Sequence, residues 1–249
     1  MLVSLNKKNM QKFEKEKINN IKAMGRDGAL RKKAIGWLRD TAKYKYTYNF
    51  TWLGRPIIQF PQDIMAMQEI IWKVKPDLII ETGIAHGGSL IFYASILELI
   101  GYGEVLGIDI DIKGRNRKEI EKNPMHKRVI MLDGSSTSEE IVNKVNKIIQ
   151  DKKKILVVLD SNHSHEHVLS ELKIYSNFVS KGSYLVVFDT AIEDMPDKFY
   201  KDRNWGRGNN PRTAVREFLK TNNKFAIDYR IGDKLLISVS PDGYLKRIK

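Results

Sequence analysis

Leu78-Ile79-Ile80-Glu81-Thr82-Gly83-Ile84-Ala85-His86-Gly87-Gly88-Ser89 joins a short aliphatic run to a glycine-bearing turn and then to a helical pattern. An aliphatic run without polar alternation fits a strand buried on both faces. Ser89 opens a helix that reaches residue 100, where Gly101 and Gly103 end it. The same strand–turn–helix order returns downstream. Val105-Leu106-Gly107-Ile108-Asp109 is the next strand, and Val129-Ile130-Met131-Leu132 the third. Thr137 followed by Glu140 predicts a capping box and a helix to about residue 150. Ile155-Leu156-Val157-Val158-Leu159 runs into Asp160, a helix follows over 166–179, and Ser183-Tyr184-Leu185-Val186-Val187-Phe188 runs into Asp189. Strands alternating with helices imply a parallel sheet covered on both faces.

The flanks are less regular. Ile64, Met67, Ile71 and Val74 fall at helical spacing before Pro76-Asp77. Residues 1–50 are basic and read as helices over 7–20 and 29–41. Tyr44, Tyr46, Tyr48, Phe50 and Trp52 then alternate as a strand would, or as a loop packing over a cleft, before a turn at Trp52-Leu53-Gly54-Arg55-Pro56. At the other end Asn210-Pro211 opens a helix through Leu219. Residues 225–230 and 234–239 read as two strands joined by Ile231-Gly232-Asp233, and so short a connection demands an antiparallel pair. The expected fold is a Rossmann-like α/β domain over 51–249. It has a mostly parallel seven-stranded sheet, a C-terminal antiparallel hairpin, and residues 1–50 as a basic helical extension.

Composition removes whole classes of function. The 249 residues include no cysteine, so thiolate nucleophiles, cysteine metal sites and disulfides are excluded. With 42% hydrophobic and 29% charged residues the chain is not disordered. No apolar run approaches the ~20 residues of a membrane helix. The N-terminus is polar and lysine-rich, unlike a secretory signal, so a cytoplasmic protein is expected. The net charge of +13 could serve nucleic acid. Its lysines are spread out, however, with only short clusters at Lys7-Lys8, Arg31-Lys32-Lys33 and Lys152-Lys153-Lys154. No aromatic–basic RNA-binding pattern accompanies them, and no nucleic-acid partner is expected.

Open α/β sheets bind ligands outside the carboxyl ends of their strands. Acids occupy those ends here: Glu81, Asp109 with Asp111, Asp133, Asp160 and Asp189. The first turn is not G-x-G-x-x-G and lacks the P-loop lysine, so no pyrophosphate cradle is indicated. An acid at the second strand end can accept both hydroxyls of a ribose, and one at the third can accept from an adenine amino group. An adenosine carrying a positively charged methionine tail would use all three turns. The fourth strand ends in Asp160-Ser161-Asn162-His163-Ser164-His165-Glu166-His167. Three readings compete there: a polar loop capping a helix, a histidine metal cluster, or a metal-ligating Asp160 beside a histidine base. Asp160 and Asp189 close adjacent strands, and two carboxylates so placed repel unless a cation or proton joins them. Mg²⁺ suits such oxygens.

These pieces together resemble the cephalosporin hydroxylase-like family of class I S-adenosylmethionine-dependent methyltransferases. They are also similar to the macrolide-sugar and rhamnosyl O-methyltransferases. The matching segments are Glu81-Thr82-Gly83 with Gly87-Gly88-Ser89, Gly107-Ile108-Asp109-Ile110-Asp111, and Asp160-Ser161-Asn162-His163 with His167-Val168. Gly182-Ser183-Tyr184-Leu185-Val186-Val187 and Gly208-Asn209-Asn210-Pro211, with Ala214-Val215 and Glu217-Phe218-Leu219, complete the match. The resemblance implies S-adenosylmethionine as cofactor. It assigns the methionine part to Glu81, Gly83 and Ser89, with Thr82, Ala85 and Gly87 of the same turn. It puts Asp109 or Asp111 at the ribose and Asp133 with Ser135 near the adenine. It makes Asp160 and Asp189 ligands for an optional Mg²⁺, Asp160 bordering the cofactor too, and His163 the base on the acceptor hydroxyl. Such proteins often carry Glu-Asp where this chain has Phe188-Asp189, one acid fewer. The implied acceptor is a sugar or other polyol-bearing small molecule or glycan, and Trp52, Arg55, Trp205 and Arg207, in glycine- and asparagine-bearing loops, are expected to line or cover its pocket. The N-terminal extension is available for homo-oligomer formation. Two rivals carry other predictions: a non-catalytic nucleic-acid-binding protein with a methyltransferase-like fold, and a nicotinamide-dependent oxidoreductase, which Glu81 beside the first turn opposes.

Overall fold

Near the N-terminus, polar helical sequence gives way to an interlocked set of aromatic rings. A computed structural model describes residues 2–249. Helix α1 (Leu2–Arg26) is followed by α2 (Gly28–Ala42), whose N-cap Asp27 accepts from Leu30 N at 2.9 Å. The side chains of Lys7 and Lys8 lie outside the described residues. The alternating aromatics do not form a long strand. Lys45 takes a left-handed conformation, Tyr46–Asn49 form a 3₁₀ turn, and only β1 (Thr51–Trp52) and β2 (Arg55–Pro56) pair, around Leu53-Gly54. The alternation serves ring packing instead. Tyr46 lies 4.9 Å from Trp37, 5.1 Å from Phe50 and 5.7 Å from Phe60, centroid to centroid. Leu38 of α2 is buried in the main core, so this region is welded to the sheet domain.

Helix α3 (Pro61–Val74) leads into four βα units and a fifth strand. These are β3 (Leu78–Thr82), α4 (Gly88–Ile100), β4 (Glu104–Asp109), α5 (Gly114–Glu121), β5 (Val129–Asp133), α6 (Glu139–Ile148), β6 (Ile155–Leu159), α7 (His165–Tyr175) and β7 (Tyr184–Val187). Then come α8 (Pro211–Thr221), β8 (Phe225–Ile227), α9 (Tyr229–Leu235) and β9 (Tyr244–Arg247). The seven-stranded sheet has the order β5-β4-β3-β6-β7-β9-β8, parallel from β5 to β7. Ile79, Val105, Leu156, Val158 and Val186 face one core layer; Leu78, Ile80, Leu106, Val157 and Leu185 face the other. Each such side chain contributes roughly 1.5–3 kcal/mol on burial. That is why the aliphatic runs read through as strands. Among the described residues no helix is long and apolar enough to cross a membrane.

Several boundaries differ from the sequence reading. Helix α6 is capped by Ser138, which accepts from Ile141 N at 3.3 Å, rather than by a Thr137–Glu140 box. Helix α7 stops at Tyr175, and α5 carries no apolar stripe that would announce it. The expected antiparallel C-terminal pair forms, and the largest correction is the place of its second strand. Residues 229–235 are helical, 234–239 form no strand, and β8 pairs antiparallel with β9 at Phe225↔Arg247. The chain leaves the sheet at Asp228, whose Oδ2 accepts from Tyr184 OH at 2.8 Å. Ile231 and Leu235, one helical turn apart, then pack on the core. Strand β9 enters between β7 and β8, with Tyr184↔Lys246 as its register to β7.

Asp63 of α3 anchors this segment from below the sheet. It is fully buried and accepts from Ser238 Oγ at 2.5 Å, Val239 N at 2.9 Å and Tyr244 OH at 2.7 Å. Asp63→Ala would strand three donors and is expected to cost about 3 kcal/mol, given about 1–3 kcal/mol for each unpaired buried group. Urea denaturation checks this; a loss below about 1 kcal/mol would contradict the anchoring role.

Candidate active site

The turn after β3 is built on close backbone approach. Gly83 has φ +89°, and a Cβ there would lie 2.0 Å from the carbonyl oxygen of Asp160. A Cβ at Gly88 would lie 2.1 Å from the carbonyl of Pro56. The glycines therefore let one part of the chain press on another, beyond any service to a ligand. Arg55 reinforces the turn by donating twice to His86 O, and Asn116 donates to Ala85 O at 2.8 Å. Backbone bonds continue the ladder past the strand ends. Asp160 N donates to Thr82 O at 2.9 Å, and Phe188 N donates to Leu159 O at 3.0 Å.

Beside this turn lies a cavity of about 600 Å³. Of the residues expected at the site, Gly83, Ala85, Asp109, Ser135, Asp160, His163 and Asp189 line it. Glu81, Thr82, Gly87, Ser89, Asp111 and Asp133 do not. Asp109 is also structural: its Oδ2 accepts from Ile84 N at 2.8 Å and Ala85 N at 3.3 Å, and its Oδ1 from Asp111 N at 3.1 Å. Asp111 turns outward to Lys113. Asp133 accepts from Ile112 N at 2.9 Å and pairs with Arg117 at 2.6 Å, which hold its carboxyl below the usual range. Glu81 is fully buried behind the turn. Its Oε2 accepts from Ser89 Oγ at 2.6 Å while Oε1 has no partner. Burial pushes its carboxyl up to about 8.

At the other end of the cavity Asp160, His163 and Asp189 offer one ligand atom each within 4.8 Å of one another. His163 Nε2 sits 3.2 Å from Asp189 Oδ2. Burial first, then the charges of Asp189, Glu81 and Glu171, drive the Asp160 carboxyl well above its ordinary range. Two carboxylates and an imidazole form a donor set that can hold a divalent cation. Phe188 contributes nothing to it, because its ring is buried in the core. Asp189 faces the cavity only because it adopts φ +56°, which turns the chain sharply after β7.

The three clustered histidines diverge, and among the described residues they form no histidine metal cluster. His165 Nδ1 lies 2.7 Å from Thr213 Oγ1 and its Nε2 3.2 Å from Glu217 of α8, while His167 turns to Glu171. Helical spacing rotates successive side chains apart, so a dense run need not converge. Trp205 lines the cavity with its ring 5.1 Å from that of His163, edge to face. The other loop residues expected around an acceptor lie elsewhere: Trp52 donates to Ser95 Oγ at 3.0 Å, Arg55 holds the first turn, and Arg207 is not in the lining. Tyr48, in the aromatic stretch expected as a strand or as a loop over a cleft, lines the cavity, while sequence reasoning missed Ser136 and Gln59. Gln59 is buried and donates to Asp160 Oδ2 at 3.2 Å. No local pattern marks them, since each reaches the site only through the fold.

Comparison with known proteins adds to this geometry. Residues 44–248 match the family model described as Rhamnosyl O-methyltransferase/CmcI. A rhamnosyl O-methyltransferase of Mycobacterium leprae (strain TN) is 30% identical over 148 residues, covering 59% of this chain and 62% of that protein. One of Mycobacterium tuberculosis (strain ATCC 25618 / H37Rv) is 34% identical over 151 residues, 59% of each chain. The aligned part thus spans about three-fifths of these curated relatives. Among solved structures, CmcI in an apo form has a TM-score of 0.57 at 16% identity, covering 81% of this chain and 77% of that one. CmcI with Mg-SAM has a TM-score of 0.56 at 16% identity, covering 81% and 78%. At such identities these structures establish a shared fold.

Gly83→Ala is expected to destabilise the protein by about 3 kcal/mol or more, since strain at positive φ adds to a clash with backbone that cannot swing aside. Thermal denaturation measures it; a near-native melting temperature would refute the contact's importance.

Proposed function

The chain belongs to the rhamnosyl O-methyltransferase/CmcI family, and on that premise we propose that it is an S-adenosylmethionine-dependent O-methyltransferase acting on a hydroxyl of a sugar or other polyol-bearing acceptor. The observation that carries the reading is the meeting of Asp160, His163 and Asp189 in one cavity with the Gly83 turn. The reaction needs an anionic cleft for a sulfonium and a base beside the acceptor hydroxyl, and these residues supply both.

The methionine end of the cofactor belongs at the turn after β3. The Oε1 of buried Glu81 suits an ammonium group, and burial is the main cause of its raised proton affinity. Ribose falls to Asp109 and the nucleobase to Ser135 and its neighbours; Asp111 and Asp133 act by holding the 110–117 loop. When bound, the cofactor supplies an electrophilic methyl carbon, and a divalent cation would lower the acidity barrier of the acceptor hydroxyl. Asp160 and Asp189 would hold that cation, though with one acid fewer than the family usually has. His163, steadied by Asp189, takes the hydroxyl proton as the oxygen bonds to the methyl carbon and the carbon–sulfur bond breaks, leaving a neutral thioether. Holding oxygen and carbon in line contributes several kcal/mol. Tyr48 and Trp205 line the acceptor end, where aromatic faces suit the C–H face of a sugar ring.

Transfer of labelled methyl from S-adenosylmethionine to a rhamnose-bearing glycoside tests the proposal, and absence of both transfer and cofactor binding at millimolar concentration would refute it. His163→Ala should lower turnover at least about 100-fold, the usual scale of general-base catalysis, with cofactor affinity nearly intact. Full activity would remove His163 from the mechanism. Glu81 must lose its proton to meet an ammonium. Because its carboxyl titrates near 8, cofactor affinity should rise up to about tenfold per pH unit from pH 6 towards 8 and level off above. Glu81→Gln should flatten that rise in calorimetry; an unchanged profile would reassign it.

A further inference from the structure

The wall at the acceptor end carries cations that the chemistry above does not use. Its tyrosine and its tryptophan, Tyr48 and Trp205, each hold a positive group against the ring. Lys45 Nζ lies 5.9 Å from the centroid of Tyr48, and the Arg203 guanidinium carbon 5.2 Å from that of Trp205. Trp205 is in turn the ring that meets His163 at 5.1 Å. Tyr48 is 57% exposed, so this wall borders the mouth of the cavity. A second contact places the loop of Arg203 here. Tyr200, three residues earlier, is half-buried, and burial together with the charge of Asp189 raises the proton affinity of its hydroxyl.

The two segments are rich in unpaired charge. Among the described residues Lys43, Lys45, Lys198, Lys201, Arg203 and Arg207 form no ion pair, whereas Arg117, Arg212 and Lys234 each find an acid. Asp202 pairs with neither of its neighbours Lys201 and Arg203. An exposed cation needs no partner to be stable. What distinguishes Lys45 and Arg203 is their place, on rings that form the wall of an otherwise anionic cavity. Asp109, Asp160 and Asp189 line its interior. An anionic group is repelled from those acids and attracted to the rim, while a neutral hydroxyl can go in. An acceptor that carries both therefore enters in one orientation, with its hydroxyl towards His163 and its anion outward.

Building on the O-methyltransferase reading, we propose that Lys45 and Arg203 form an anion subsite at the mouth of the cavity, and that the acceptor is a phosphorylated sugar. Phosphate suits this rim better than a carboxylate does. It carries a charge of about −1.5 to −2 at pH 7 and three acceptor oxygens, enough for two cations from separate segments. The guanidinium fork takes two of those oxygens at once, and the ammonium acts as a point charge. Sugar 1-phosphates and nucleoside diphosphate sugars share this chemistry. Lys45 and Arg203 are specificity determinants in this scheme, since no bond of theirs forms or breaks.

Calorimetry on the protein loaded with S-adenosylhomocysteine tests the subsite. The probes are glucose 1-phosphate, rhamnose 1-phosphate and uridine diphosphate glucose, against methyl glucoside and methyl rhamnoside. At low salt a phosphorylated sugar should bind at least about tenfold more tightly than its methyl glycoside, and the gap should narrow in about 0.5 M sodium chloride. The tighter of the monophosphate and the diphosphate identifies the source. Arg203→Ala should cut the advantage to about threefold or less, and Arg203→Lys should restore part of it. Lys12→Ala removes an exposed cation of α1 and should leave the advantage unchanged; an equal fall there would credit the overall charge and overturn the inference. Equal binding of phosphates and glycosides, no binding of any phosphorylated sugar, or a methyl glucuronide that matches the phosphates would also overturn it and spare the methyltransferase reading. Failure to bind S-adenosylhomocysteine would overturn that reading and the inference with it.

Discussion

Everything at the site depends on how closely the turn after β3 is pressed against the end of β6. Only a residue without a side chain fits between them, and Gly83 occupies that place with the Asp160 carbonyl against it. Two consequences follow from the contact. Thr82 and Asp160 are joined by a backbone bond, so the two central strands end in register. Glu81 then helps to raise the proton affinity of Asp160, after burial and the charge of Asp189, the larger causes. A protein of net charge +13 thus keeps a locally anionic hollow. Strain of this kind is relieved by a cation or a bound proton, which suits a cleft that receives a sulfonium.

The acid pair across β6 and β7 shows how one residue's backbone decides a site's donor set. Phe188 completes the buried layer. One position later the chain adopts a left-handed conformation, costing about 1–2 kcal/mol for a residue other than glycine. That turn swings Asp189 into the cavity opposite Asp160 and beside His163. A carboxylate at position 188 would need burial in the apolar layer or a different local path. The aromatic ring stabilises the core, and Asp160 and Asp189 remain the two acids beside His163.

The N-terminal part contributes to the site as well as to packing. Arg55 and Gln59 come from the short β2 and the segment after it, yet one clamps the first turn and the other donates to Asp160. Tyr48, from the 3₁₀ turn, forms part of the cavity wall. The ring cluster around Tyr46 is what holds these groups in place.

Aliphatic runs ending in acids were sufficient to locate the five parallel strands and the rim on which ligands gather, because burial on both faces admits little but Ile, Leu and Val. The same logic failed for residues 229–239, where sparse apolar positions satisfy a strand or a helix equally well. Asp228 and Asp63 decide between them through bonds to Tyr184, Ser238 and Tyr244, partners far away in the chain. The site divides in the same manner. Its acids could be named from their places at strand ends, as could His163. Which acids face the cavity, and which of His163, His165 and His167 joins them, depended on turns of single residues and on the helix face presented. Spacing along a chain lists candidate groups, but a side chain's direction is set by what packs around it, and that exists only once the chain has folded.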